Sequence, residues 1–398
     1  MDALARLLAL SAAEKEMRGL VHTPREILQQ SATWRRTYQK FLQLAPSIKE
    51  FLIQAGLNGS AQTSPQLTVL LVGAGTSDYI GKSLCALLQK QWRCEVQAVP
   101  STDLLTNIEE HVLPERSYLW ISFSRSGDSA EGVAVLKAAL ERYPEVRHLI
   151  VTCNDHGKMA CSFNDRRNVF SIVLDDEVND RGLAMTSSFS NMVIVGQALA
   201  HLRDLETYGT LLDDLASTAS QVLLAAADVC ERLVHEGFSK VCFLGTGPLK
   251  GAATESALKV LELTDGRVMS FSESFLGLRH GPLSAIDRDT LVVSFLSGDE
   301  RRRAYELDLV KEIFDKRLTA KRVAVLPTRM RDSAVFGLEG DTIVLGFQHP
   351  IADLYRPPVD VLVGQLLGLF ASLREGLKPD APSPQGVINR VVSHVTIH

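Results

Sequence analysis

The chain has 398 residues, room for two domains of ordinary size, and its 45% hydrophobic content allows sizeable cores. A formal net charge of −5 argues against a general nucleic-acid or membrane-surface binder. No stretch is apolar for long enough to span a bilayer, so neither nucleic acid nor membrane is an expected partner.

The first 18 residues are rich in Ala and Leu but carry Asp2, Arg6, Glu14, Lys15 and Glu16, so they read as an amphipathic helix and not as a signal peptide. Helical character continues to about residue 57, with Thr23-Pro24 expected to supply a cap and a first-turn proline. A polar linker follows at residues 58–65. Short apolar runs at 68–72, 95–99, 118–123, 148–152 and 169–173 then alternate with helical patterns, notably 79–91 and 130–142. Helical patterns fill 187–205 and 211–235. The alternation then restarts, with strands at 240–244, 290–295, 322–326 and 342–345 and helices at 250–263, 301–317 and 359–373. Alternation of this kind predicts βαβ units and parallel sheets, an α/β fold. Six scattered cysteines without a C-x-x-C pair fit a reducing cytoplasm. Ten scattered histidines without an H-x-x-x-H pair give no reason to expect a metal, and no cofactor is expected either.

The two halves repeat. Val69-Leu-Leu-Val-Gly-Ala-Gly75 lines up with Val241-Cys-Phe-Leu-Gly-Thr-Gly247, and Ser122-Phe-Ser-Arg-Ser-Gly-Asp-Ser129 with Ser294-Phe-Leu-Ser-Gly-Asp-Glu300, one residue shorter. The pattern predicts a duplicated domain, divided as residues 1–58 (helical), 59–208 (first domain), 209–375 (second domain) and 376–398 (tail). The first copy's hydroxyl-rich turn leads from a strand into a helix start, where unpaired N–H groups and the helix dipole favour an anion. Gly75, Thr76 and Ser77 form a second turn at the same expected sheet edge. Local capping, with Asp128 and Glu131 as a capping box, is the competing reading. In the second copy Leu296 replaces Ser124 and Glu300 replaces Ser129, and both changes oppose phosphate binding. Only the first half is therefore expected to hold a phosphate.

Glu255, Lys259 and Glu262 lie four and three residues apart, on one helical face. They are either a solvated ion-paired face or a shielded carboxylate poised for proton transfer. His280 sits in the loop Arg279-His280-Gly-Pro282, and its near-neutral pKa suits a group that both gives and takes a proton.

The S-x-S-G-x-S turn and the duplicated sheet resemble the sugar isomerase (SIS) family, over nearly the whole chain from about residue 20. Glu255-Ser-Ala-Leu-Lys259-Val-Leu-Glu262 and Arg279-His280-Gly-Pro282-Leu283 are similar to the isomerase half of glucosamine-6-phosphate synthase. Gly19-Leu-Val-His-Thr-Pro24, Ala184-Met-Thr-Ser-Ser-Phe189 and the ending Asn389 to His398 resemble the AgaS-type subgroup, the galactosamine-6-phosphate deaminase/isomerases also described as tagatose-6-phosphate ketose/aldose isomerases. The resemblance implies that Ser77, Ser124, Ser126 and Ser129 hold a sugar phosphate, with Arg125, Gly75, Thr76, Ser187 and Ser188 beside it. It implies Glu262 as the base shuttling a proton between C1 and C2, Lys259 in support, and His280 assisting ring opening. It also implies a homodimer in which the histidine is donated across the interface, and a tail that closes over the sugar. The synthase has a lysine near the position of Ser393, and this chain has none there. The chain opens on Met1-Asp2 with no glutaminase segment before the α/β pattern, so release of ammonia is the expected direction. Plain aldose–ketose isomerisation and a non-catalytic sugar-phosphate regulator remain as alternatives.

Overall fold

The computed structural model describes residues 1–57, 66–319, 321–327, 342–347, 349–392 and 395–398. The polar linker expected at 58–65 and the tail position Ser393 lie outside the described residues. In chain order the elements are α1 (Ala3–Leu8), α2 (Ala12–Arg18), α3 (Thr23–Leu28), α4 (Gln30–Gln54), β1 (Leu67–Gly73), α5 (Thr76–Trp92), β2 (Glu95–Pro100), α6 (Ser101–His111), β3 (Ser117–Ser124), α7 (Ala130–Arg142), β4 (Arg147–Thr152), α8 (Lys158–Cys161) and β5 (Val169–Val173). They continue with α9 (Ser187–Ala200), α10 (Leu205–Glu236), β6 (Lys240–Gly245), α11 (Pro248–Leu263), β7 (Met269–Glu273), α12 (Phe275–Leu278), β8 (Thr290–Phe295), α13 (Glu300–Asp315), β9 (Lys321–Pro327), β10 (Thr342–Phe347) and α14 (Pro357–Arg374).

Two compact units result. One contains residues 32–180, 187–212 and 389–398, the other residues 1–31, 181–186 and 213–388. The first holds a parallel sheet in the order β2-β1-β3-β4-β5, the second a parallel sheet in the order β10-β9-β8-β6-β7. Read from the other edge, the second order is β7-β6-β8-β9-β10, the same 2-1-3-4-5 topology. The duplication seen in the sequence is therefore a duplication of sheet order as well. Every residue of β1 and β8 is buried, as expected of central parallel strands covered on both faces.

The cores follow from this arrangement. In the first unit Leu70, Val72, Trp120, Val135 and Ala139 form one cluster beneath α6 and α7. In the second, Cys242, Leu244, Phe275, Leu278, Val292 and Leu296 form another. Leu296, the replacement for Ser124, is thus a core residue, and burying such a side chain contributes roughly 1.5–3 kcal/mol. Among the described residues no helix is long and apolar enough to cross a membrane.

The start of α3 departs from the sequence expectation. Thr23 does not cap the helix; His22 is the N-cap and makes no side-chain capping bond. Instead the Asp380 carboxylate accepts from the N–H groups of Val21, His22 and Thr23 and from the Thr23 hydroxyl. A tail carboxylate satisfies the orphan donors of a helix near the other end of the chain.

Candidate active site

In the first unit, β3 runs buried up to Ser124 and the chain then turns sharply at Gly127, whose φ is +65°. A Cβ there would lie 3.2 Å from both Gly157 Cα and Thr152 Oγ1, so glycine is required on two counts. The turn is held from within and from below. Ser124 Oγ accepts from Gly127 N–H at 3.0 Å, and Ser126 Oγ from Asp128 N–H at 3.1 Å. Asn154 Nδ2 donates to the Ser126 carbonyl at 2.8 Å, and Met159 N–H to the Gly127 carbonyl at 2.9 Å. Asp128 accepts from Lys158 N–H at 3.0 Å.

That pattern corrects the capping-box reading. The N-cap of α7 is Ser129, it makes no side-chain capping bond, and Asp128 serves the α8 side of the turn. Ser124 and Ser126 act as acceptors, and among the described residues nothing takes their hydroxyl protons. The α7 N-terminus therefore faces a rigid turn with donors to offer, which is the arrangement a phosphate monoester requires.

The neighbouring Gly75 has φ 55° and ψ −125°, and α5 begins directly after it at Thr76 without a side-chain cap. Thr76 and Ser77 are both 6% exposed. Arg125 is largely buried, and its guanidinium donates to the carbonyl of Arg390 in the C-terminal tail. Arg390 in turn donates to Asn179 Oδ1 at 2.7 Å and to the Asp180 carbonyl at 2.8 Å. Arg125 thus holds the tail in place.

Ser187 and Ser188 are both fully buried at the start of α9. Their N–H groups donate to the two oxygens of Asp180 at 2.9 and 2.8 Å, and the Ser188 hydroxyl donates to the same carboxylate at 2.5 Å. This is a helix cap supplied from seven residues upstream, and it engages the Ser188 hydroxyl.

In the second unit, Gly247 repeats the Gly75 conformation, with φ 60° and ψ −128°, and α11 starts after it. Lys259 on α11 has no exposed side-chain surface, nor has Glu255, while Glu262 retains 17%. Lys259 Nζ lies 3.0 Å from Glu255 Oε1 and donates to Glu262 Oε1. Burial disfavours the ammonium, but the two carboxylates outweigh it and move the Lys259 pKa above its ordinary value. The triad is therefore charged and shielded, and is not a solvated face. Its burial depends on α14, where a Cβ on Gly364 would lie 2.3 Å from Ser256 Cβ and one on Gly368 would lie 2.8 Å from the Lys259 carbonyl.

His280 follows α12 on the surface, and among the described residues its ring makes no hydrogen bond or ion pair. Arg279 beside it is tied to Glu312 at 2.7 Å. Among the described residues no group of three His, Cys, Asp or Glu side chains is arranged to hold a metal ion.

No family model matches the chain. It is 34% identical over 377 residues to the D-galactosamine-6-phosphate deaminase AgaS of Escherichia coli O157:H7, covering 94% of this chain and 95% of that protein. The chain belongs to the AgaS family. The crystal structure of tagatose-6-phosphate ketose/aldose isomerase from Escherichia coli superposes with a TM-score of 0.84 at 33% identity, covering 94% of this chain and 96% of that one. The C-terminal domain of glucosamine-fructose-6-phosphate aminotransferase from Francisella tularensis has a TM-score of 0.75 at 18% identity, covering 90% of this chain and 98% of that one, and shares the fold. The duplicated parallel sheets of this AgaS family member are thus the SIS arrangement expected from the sequence.

Proposed function

We propose that this protein is a deaminating aldose–ketose isomerase that converts D-galactosamine 6-phosphate and water to tagatose 6-phosphate and ammonia. One observation carries the chemical assignment: in the Glu255–Lys259–Glu262 triad only Glu262 reaches the surface. A buried ammonium fixes the direction of a carboxylate that remains accessible to substrate, which suits a proton-transfer base.

In this reading the phosphate is held by Ser77, Ser124, Ser126 and Ser129 with the N–H groups of the α7 start, and Gly75 and Thr76 shape the adjoining turn. Arg125 contributes by holding the tail. Glu262 removes the C2 proton of the open-chain aldose, the C2–H electrons form a C1=C2 double bond, and the C1=O pair moves onto O1, which takes a proton from water, giving an enolamine. Redelivery of the proton from Glu262 to C1 leaves an iminium at C2. Water adds to that carbon, the C–N bond breaks with its electron pair on nitrogen, and ammonia departs to leave the ketone. His280 is proposed to assist ring opening. Its exposed ring without a partner among the described residues supports donation by His280 of the partner subunit in a homodimer. Six cysteines free of disulfides support work in the cytoplasm.

The test is ammonia and ketose production from galactosamine 6-phosphate, with Glu262→Gln as control. The variant should lose at least about 10³-fold in kcat, within the range for removal of a general base or more, while still binding inorganic phosphate. Wild-type turnover by Glu262→Gln would refute the base assignment. A second reading, isomerisation without loss of nitrogen, is favoured by the isomerase to which the chain is structurally similar. Faster turnover of tagatose 6-phosphate than of the amino sugar would select it.

A further inference from the structure

The turn in the second unit that corresponds to the phosphate turn is not empty. Ser297 and Gly298 stand where the first copy has Ser126 and Gly127. In the first copy, nothing among the described residues accepts from Ser126 N–H, and Gly127 N–H goes only to the local Ser124 hydroxyl. In the second copy the equivalent donors all end on carboxylates. Ser297 Oγ–H donates to Asp353 Oδ2 at 2.5 Å, and Gly298 N–H to Asp353 Oδ1 at 2.8 Å. Ser297 N–H donates to Glu306 Oε2 at 2.6 Å. Arg302 Nη1 lies 2.7 Å from Asp353 Oδ2, and Arg356 Nη1 lies 3.2 Å from Asp353 Oδ1.

We infer that Asp353 is the built-in anion of the second turn: its carboxylate, seconded by Glu306, occupies the oxyanion cradle that the duplicated fold creates, and removing it opens a site for a small oxyanion such as formate or inorganic phosphate. Three features point the same way. The donor set is of the kind that binds an oxyanion: a serine hydroxyl, successive turn N–H groups and a nearby guanidinium. Asp353 comes from the segment after β10, 55 residues beyond Gly298, so its placement is not a local turn preference. Glu306 stands at the position of Val135, a core residue of the first copy, so a second carboxylate has been introduced where the repeat requires only packing. Asp353 is 6% exposed, so its partners are shielded from water and a missing charge there is felt strongly.

The experiment compares thermal unfolding of the wild type, Asp353→Gly and Asp353→Asn in sodium formate, sodium phosphate and sodium chloride at equal ionic strength. In chloride, Asp353→Gly should melt roughly 6–20 °C below the wild type, the range that loss of one partner of a buried charge cluster implies. Formate should restore about half of that loss, phosphate should restore a smaller or equal part, and the melting of the wild type should shift far less. Asp353→Asn keeps the shape but not the charge. It should be destabilised and gain nothing from formate, because its site remains filled. If Asp353→Gly does not fold in chloride, refolding yield in formate against chloride becomes the readout, with a several-fold gain expected. Equal behaviour of Asp353→Gly in all three salts, or wild-type stability of Asp353→Asn, would overturn the inference.

Discussion

Lys259 is a fully buried charge in the second unit, and replacing it with methionine isolates that charge. Met preserves the volume and apolar stem, so the change is electrostatic. It leaves Glu255 fully buried without its ammonium at 3.0 Å, and releases Glu262 from its tether. Breaking a buried pair from one side costs about 3–5 kcal/mol. At roughly 2–4 °C per kcal/mol for a unit of this size, the melting temperature should fall by about 6–20 °C. The pH sense is also fixed. In the wild type the Lys259 pKa is raised above its ordinary 10.5, so its contribution is complete below that value and disappears as the pH climbs through the folded value. In the variant a carboxylate stranded by burial binds its proton more tightly when folded, so stability should instead improve as the pH is lowered from 8 toward about 5. Circular dichroism melts across that range, without substrate, test both effects. The double variant Glu255→Gln/Lys259→Met removes the stranded charge and should recover about half of the loss. A single variant melting within about 2 °C of the wild type, with no gain in the double variant, would refute the view that the triad is a buried charge cluster.

Two further expectations concern the turns. Burial raises the Glu306 pKa to about 7, against the lowering effect of its hydrogen bond from Ser297 N–H, so the folded state binds this proton more tightly than the unfolded chain. Stability from this group is then complete below pH 4.5 and falls as the pH rises to about 7. Glu306→Gln should flatten that decline and be more stable than the wild type at pH 8, by up to about 3 kcal/mol, in urea titrations. Gly127→Ala places a Cβ in a left-handed turn against Gly157 and should cost about 1–3 kcal/mol, with the KM for the sugar phosphate rising more than kcat falls in steady-state kinetics.

Much of the architecture was legible because buried parallel strands read as unbroken apolar runs. β8 matches its expected range, and β1 differs by one residue at each end. Strand β7 (Met-Ser-Phe-Ser-Glu) escaped because it is an edge strand with polar residues at three of five positions, and only its pairing with β6 makes it a strand. The triad was legible from helical spacing, but its burial was not, since burial comes from the close approach of α14 at two glycines some hundred residues away. The capping of α9 by Asp180 was not legible either, because helix-start amides look the same in sequence whether they face a ligand or an internal carboxylate. The Asp353 plug escaped likewise, because the second turn's own residues account only for the loss of two hydroxyls and not for what replaced the ligand.

The glycines at 364 and 368 have one more consequence. Because α14 lies so close to the backbone of α11, the Lys259 ammonium has no exposed side-chain surface and is held by two carboxylates in place of mobile water. Tethered charges do not have to reorient as water does when a proton moves on or off a nearby carboxylate. For the proton transfer proposed at Glu262, the contact between two helices, made by residues with no side chain at all, thereby lowers the accompanying reorganisation.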